Sequence, residues 1–320
     1  MRYWWVNHKQ TSKFEIAGGF LWSPMRKANG ARNHFYDTMR DASPGDVVIS
    51  YSHAQIRFIG LIIDFATPAP KPPSFGATGE NWDKKNGWLM PVSWESLGKS
   101  IRPKALLENL RDILPVKYSP ISPDTGDGNQ GAYLSEVGRQ VFDFLIGDIV
   151  FDTFFSFKAK TTTFKAIVDI DLAIETQVVQ DCSLDATTKQ RVIDARLGQG
   201  FFKERIYEFE RSCRLTSVET PGLLIASHIK PWRLCETALE RLDGANGLLL
   251  TSHVDLLFDR GLISFSNSGE VILSPKLSLY DLDLLGLRSS CIAGVGAFHK
   301  RQKVYLEFHR DVVFLSGNRR

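Results

Sequence analysis

Residues 223–232, LLIASHIKPW, and residues 246–261, NGLLLTSHVDLLFDRG, decide the reading of this chain. The first is an apolar run that meets a histidine and then a proline turn. It reads as a strand leaving into a loop. The second opens on Asn-Gly, continues as a short apolar run and then takes helical spacing, with His253 in the first helical turn. Strand, strand and helix follow within about forty residues, closely enough to pack as one local unit. A hairpin, LISFSNSGEVILS (262–274), comes next, with Asn267 to Gly269 at its tip.

Taken singly, these residues are ordinary. A histidine beside a strand is most often a hydrogen-bonded structural residue, and Asn-Gly is most often a hairpin turn. Their order and spacing are less ordinary. A ββα unit with a histidine at the end of its first strand suits phosphodiester hydrolysis. One imidazole takes a proton from water, and a metal held on the helix stabilises the charged phosphorane and the leaving oxygen.

The wider stretch QGFFKERIYEFERSCRLTS (199–217), ASHIKPW, GANGLLLTSHVDLLFDRGLISF (244–265) and GEVILS (269–274) resembles the HNH endonucleases, in the branch without zinc cysteines. The resemblance spans roughly residues 195–280 and implies a ββα-metal fold. It implies that His228 is the general base, that Asn246 holds the site loop and orients the base, and that His253 binds the metal. Many members carry Asp or His just before the base, whereas this chain has Ser227. Ser227 is a poor ligand, so either it coordinates weakly or another residue completes the site, with Asp255 and Asp259 the candidates. Arg260 is a candidate phosphate contact, or else a partner of Asp255 or Asp259. The expected cofactor is one divalent metal per site, Mg²⁺ first, with Mn²⁺, Co²⁺ and Ni²⁺ compatible with a histidine-containing site.

Working outward, the chain's 320 residues suit two domains better than one core. The expected division is 1–150, a connector over 151–186, and 187–320. The segment KAKTTTFKAIVDIDLAIETQ (158–177) carries no clear boundary signal. Residues 1–66 alternate short strands and turns: RYWWV (2–6), a loop GGFLWSP (18–24), a helical stretch Asn33 to Arg40, SPGDVVISY (43–51) and RFIGLIIDF (57–65). This pattern predicts a small mixed β-barrel, within an α+β protein overall. Strand character returns in GWLMPVSW (87–94), and Ser135 to Phe144 reads as a helix.

Six of the seven tryptophans fall in the first 150 residues. They suit either a large core or an aromatic cage for a flat ligand, such as a base swung out of a duplex. The words YWWVNHKQT (3–11), GGFLWSP, NGARNHFYDTM (29–39), PGDVVISY (44–51), IRFIGLI (56–62) and NGWLMPVSW (86–94) resemble the EVE domains of the PUA-like superfamily. That resemblance implies a reader of modified bases. Joined to an HNH nuclease, it implies a modification-dependent, type IV-like restriction enzyme acting on double-stranded DNA with 5-methyl- or 5-hydroxymethylcytosine. Candidate pocket residues are Trp22, Asn33, Ser50, Tyr51 and Trp82, while Trp4 and Trp5 are assigned to the core. Two other readings are a repair- or structure-directed nickase, and a modified-base binding protein with a weakened nuclease half.

Net charge is only +3, and residues 181–320 carry 19 Lys and Arg against 17 Asp and Glu. Any DNA contact must therefore come from local arrangement and not from a strongly basic chain. The four cysteines, Cys182, Cys213, Cys235 and Cys291, form no C-x-x-C pair and read as free thiols. No apolar run reaches membrane length and the N-terminus has no signal-peptide core, so a cytoplasmic protein is expected. One HNH site cuts one strand, so a homodimer, or dimerisation on DNA, is expected for a double-strand break.

Overall fold

A computed structural model describes residues 1–147, 165–196, 200–288, 290 and 294–316. Residues 151–164 of the expected connector, and Cys291, lie outside these residues. The chain divides into two compact units, Met1–Ile170 and Asp171–Arg320, so α5 (Lys165–Gln180) crosses the division.

Among the described residues the first unit contains seven strands: β1 (Tyr3–Asn7), β2 (Phe20–Pro24), β3 (Val47–Ser52), β4 (Gln55–Ile62), β5 (Thr67–Ala69), β6 (Gly87–Ile101) and β7 (Leu134–Val137). Its helices are α1 (Ser12–Gly18), α2 (His34–Asp37), α3 (Leu107–Leu110) and α4 (Arg139–Ile146). The strands run in the order β2-β6-β4-β3-β1-β7, with β5 added to β6. Only β1 and β3 pair in parallel, Trp5 opposite Ile49; the other pairs are antiparallel. The result is a curled half-barrel, where the sequence predicted a barrel. The ladder ends at β2 and β7, and side chains tie these ends together: Trp22 N–H donates to the Tyr133 hydroxyl (2.9 Å), one residue before β7.

Every residue of VVISYS in β3 is buried, because this central strand is covered on both faces. On one side Trp5, Val47, Ile49, Ile56 and Ile59 pack with Val141, Phe142 and Leu145 of α4. Trp4 and Trp5 are fully buried, as assigned. Two local readings need correction. GGFLWSP is not a loop, since Phe20–Pro24 pairs with β6, Trp22 opposite Leu89. The run from Ser135 is not helical at its start: Leu134–Val137 pairs with β1, and the helix begins after Gly138.

The second unit contains the rest of α5, α6 (Ala186–Arg196), α7 (Phe201–Ile206), β8 (Leu224–His228), α8 (Ala238–Leu242), β9 (Gly247–Thr251), α9 (Ser252–Asp259), β10 (Ile263–Phe265), β11 (Val271–Leu273), α10 (Leu279–Leu284) and α11 (Lys300–Phe308). β8 and β9 form an antiparallel pair, His228 opposite Gly247, and α9 starts at the residue after β9. The expected β10–β11 hairpin is present. Val254, Leu257 and Phe258 bury one stripe of α9, at the i, i+3, i+4 spacing of an amphipathic helix. Among the described residues no helix is long and apolar enough to cross a membrane.

Candidate functional site

In the second unit the end of β8 places His228 between two elements. Its ring stacks on Phe202 of α7, centroids 3.9 Å apart and planes 9° from parallel. Its Nε2 lies 3.0 Å from the Arg241 carbonyl oxygen. A carbonyl only accepts, so Nε2 carries the proton and Nδ1 keeps its lone pair. Burial pushes this imidazole down to about 4, which leaves it neutral near pH 7. Nδ1 has no hydrogen-bond partner among the described residues. A neutral, oriented imidazole with one open acceptor has what a general base needs.

Asn246 is fully buried and reaches that histidine indirectly. Its Oδ1 accepts from the Lys230 N–H (2.7 Å), and its Nδ2 donates to the carbonyls of Lys230 and Glu240 (3.2 Å each). It therefore pins the loop after β8 to the last turn before Arg241, whose carbonyl fixes His228. The Lys230 ammonium bonds Glu240 at 2.9 and 3.0 Å and braces the same loop. Gly247 has no room for a side chain, because a Cβ there would lie 2.4 Å from Ile206 and 3.0 Å from Phe202. The Asn-Gly pair is thus a packing requirement of α7 and not a simple turn.

Asp255 and Asp259 stand four residues apart on α9, one helical turn, so both look the same way. Ser227, just before His228, sits between them. Its hydroxyl donates to Asp259 Oδ1 at 3.5 Å and also favours the charged form of Asp255. Asp255 Oδ1 is buried without a partner. Burial pushes Asp255 up. Asp259 reaches solvent in part, yet protein crowding its carboxyl, followed by the Asp255 charge, pushes it up to about 7. Two adjoining, under-bonded carboxylates fit a hard divalent cation, which takes oxygen ligands.

His253 is half-buried and two residues from Asp255, about 200° away around the helix. Among the described residues no three His, Cys, Asp or Glu side chains converge as a metal-binding group. The structure therefore brings Ser227, Asp255 and Asp259 together and does not bring His253 to them. Arg260 caps the end of α9, and its charge lowers Asp259. Arg233 acts on Asp259 in the same sense and was not foreseen. Asp171 of α5 holds its guanidinium at 2.6 and 3.0 Å, a contact across 62 residues that no local pattern reveals.

The first unit holds a cavity of about 660 Å³, lined among others by Trp22, Tyr51, Trp82 and Tyr133. Trp22 and Trp82 stack with centroids 6.1 Å apart. Beneath them lies a buried network around Glu15. Its Oε1 accepts from Trp22 N–H (2.9 Å) and the Tyr133 hydroxyl (2.6 Å), and its Oε2 accepts from Thr11 (2.8 Å) and His8 Nδ1 (2.7 Å). Burial and the Glu15 charge push the Tyr133 hydroxyl well up, so it remains a donor.

Ser50 does not line the cavity; it bonds His8 Nε2 at 2.7 Å from behind. Asn33 is not a lining residue: its side chain caps α2 by accepting from Phe35 N–H and donates to the carbonyl of Gly131, which does line the cavity. Ser23 was missed. It lines the cavity, is 1% exposed, and its hydroxyl has no partner. Its place beside Trp22 was the available signal. Cys213 and Cys235 are buried free thiols and Cys182 is an exposed one. Burial pushes Cys235 up to about 12, so it is inert as a nucleophile.

No curated protein matches the chain. Among solved structures, Rpa0253 from Rhodopseudomonas palustris is similar at 17% identity over 47% of this chain and 95% of its own, with a TM-score of 0.31. PSPTO5229 from Pseudomonas syringae is similar at 17% identity over 44% and 95%, with a TM-score of 0.27. The HNH endonuclease family matches residues 213–266, which include β8, β9 and α9 with His228, Asn246, Asp255 and Asp259. The second unit of this chain therefore contains an HNH endonuclease domain.

Proposed function

We propose that this protein is a modification-dependent DNA endonuclease. Its first unit, a PUA-like reader, takes a 5-methyl- or 5-hydroxymethylcytosine out of the duplex, and its second unit hydrolyses the backbone nearby. His228 takes the proton from the attacking water through Nδ1. Asp255 and Asp259, with Ser227, would hold one divalent ion, and His253 is a further candidate ligand. The ion supplies charge stabilisation at the phosphate. Arg233 and Arg260 are the candidate phosphate contacts. The observation that carries the nuclease reading is the His228 geometry: one nitrogen spent on a carbonyl, the other open, next in sequence to Ser227, whose hydroxyl meets Asp259 beside the buried, unpartnered Asp255 Oδ1.

The base-reading half rests on the cavity. Its volume of about 660 Å³ lies inside the roughly 300–1,000 Å³ common for small-ligand sites. Extruding a base costs a few kcal/mol, and stacking on an aromatic wall returns about 1–3 kcal/mol. Trp82, backed by the buried Trp22, would supply such a wall, and the buried Ser23 hydroxyl is a hydrogen-bonding group without a partner among the described residues. Two copies acting on the two strands would give a double-strand break.

The test is digestion of otherwise identical DNAs carrying cytosine, 5-methylcytosine or 5-hydroxymethylcytosine, with Mg²⁺, Mn²⁺, Co²⁺ or Ni²⁺. Metal-dependent cutting of a modified DNA alone is expected. Equal cutting of all three removes the reader, and no cutting with any metal removes the nuclease.

A further inference from the structure

The hairpin between β3 and β4 closes with Ser52 opposite Gln55, so only His53 and Ala54 make the turn. Both have left-handed backbones, φ 54° and 59°. Two-residue hairpin turns of this hand ordinarily take Asn-Gly, because side chains on residues with positive φ are strained. Alanine has no polar group to offset that strain locally. The chain therefore keeps two side chains at a place where the fold would be more relaxed without them.

Both residues are exposed, and both line the cavity. The imidazole is not loose. His53 Nδ1 lies 2.7 Å from the Ser52 hydroxyl, which in turn contacts the Ser12 hydroxyl at 2.9 Å. Lys9, Gln10 and Gln130 line the same cavity and are exposed, a cation and two amides suited to a nucleic-acid backbone.

We propose that the His53-Ala54 tip enters the duplex and fills the space that the extruded nucleotide leaves. This rests on the base-reading proposed above and adds the element that makes room for it. Flipping leaves a gap in the stack, and a flat imidazole held on a rigid turn restores a stacking partner to the neighbouring bases. Replacing the tip by the relaxed pair changes two side chains of the cavity lining, so it should impair the opening of paired DNA more than the binding of a base already extruded.

The experiment uses the full chain in EDTA, with His53→Asn and Ala54→Gly combined. Binding is measured to one 5-hydroxymethylcytosine in a fully paired duplex and to the same base opposite an abasic site. The variant should melt no lower than the native protein. Its affinity for the paired duplex should drop about tenfold or more, the size of a lost stacking contact. Its affinity for the pre-opened site should fall by clearly less. Unchanged binding to paired duplex overturns the inference, and so does an equal loss on both substrates, which would place the tip in the pocket. A native protein with no preference for the modified base in either context overturns the base-reading itself, and this inference with it.

Discussion

Two histidines of the second unit stack on phenylalanines, and they differ in one hydrogen bond. His309 lies 3.8 Å from Phe258, gives Nε2–H to the Phe258 carbonyl and takes the Ser264 hydroxyl on Nδ1. His228 lies 3.9 Å from Phe202 and gives Nε2–H to the Arg241 carbonyl, with Nδ1 left open. The carboxylates repeat the contrast across the two units. Glu15 accepts four hydrogen bonds, whereas Asp255 has a buried oxygen with none. Burial alone does not separate structural from functional groups here. In these two pairs the difference is an acceptor left without a partner among the described residues, a state that costs about 1–3 kcal/mol where the atom is buried, as Asp255 Oδ1 is.

The carboxylates give the largest expected difference after the base itself. Asp255→Ala should cut the rate by about 100-fold or more at fixed metal, or raise the metal requirement by a similar factor. His253→Ala should do less, since it stands apart from the pair. A metal titration of plasmid nicking checks both, and a greater loss from His253→Ala would move the metal to that residue. Glu15→Gln, by contrast, should lower the melting temperature of the first unit and leave the metal concentration needed for cutting unchanged.

Next comes Trp22→Ala. Without that ring, the preference for modified duplex should fall about five- to hundredfold, the equivalent of about 1–3 kcal/mol of stacking. Competition binding measures this. A folded variant that still discriminates puts the cage on Trp82 and Tyr51. Trp22 also donates its Nε1–H to the Ala69 carbonyl and packs on Phe75, so circular dichroism must accompany the binding.

A pH series sharpens the contrast further. Asp259 releases its proton only near pH 7, so metal must compete with that proton below pH 7. The metal concentration for half-maximal cutting should rise by up to about tenfold per unit as pH falls from 7 to 5. For the metal-free protein the sign is opposite. The folded carboxyl binds its proton more tightly than the unfolded one, whose ordinary value is 3.8, so stability should fall as pH rises from about 4 to 7. Asp259→Asn should remove that fall and melt slightly higher than the native protein at pH 8. A native protein with flat stability over this window would contradict the crowded pair.

Local patterns carried the nuclease half because its signals are local. Apolar runs, Asn-Gly and a helix start lie within 40 residues, and Asp255 and Asp259 share a face by spacing alone. The reader half was harder. Gly18, Gly19 and Pro24 punctuate β2 and hide a strand whose pairing comes from β6, about 70 residues on. Asn33 looked like a base contact because it is polar and in a loop, but a helix start also needs a side-chain acceptor, and α2 uses it. The Asp171–Arg233 pair and the Glu15 network join residues 62 and up to 118 positions apart. Only the folded chain reveals them.

The central claim is that His228 acts on water and His309 holds the fold. Nicking of a susceptible DNA by native protein, His228→Ala and His309→Ala, each normalised to folded protein and run with and without EDTA, tests it most directly. The account predicts that native protein cuts only with metal, that His228→Ala loses about 10²–10⁴-fold, and that folded His309→Ala cuts at close to the native rate. Native-level cutting by His228→Ala, or cutting that survives EDTA, would contradict it.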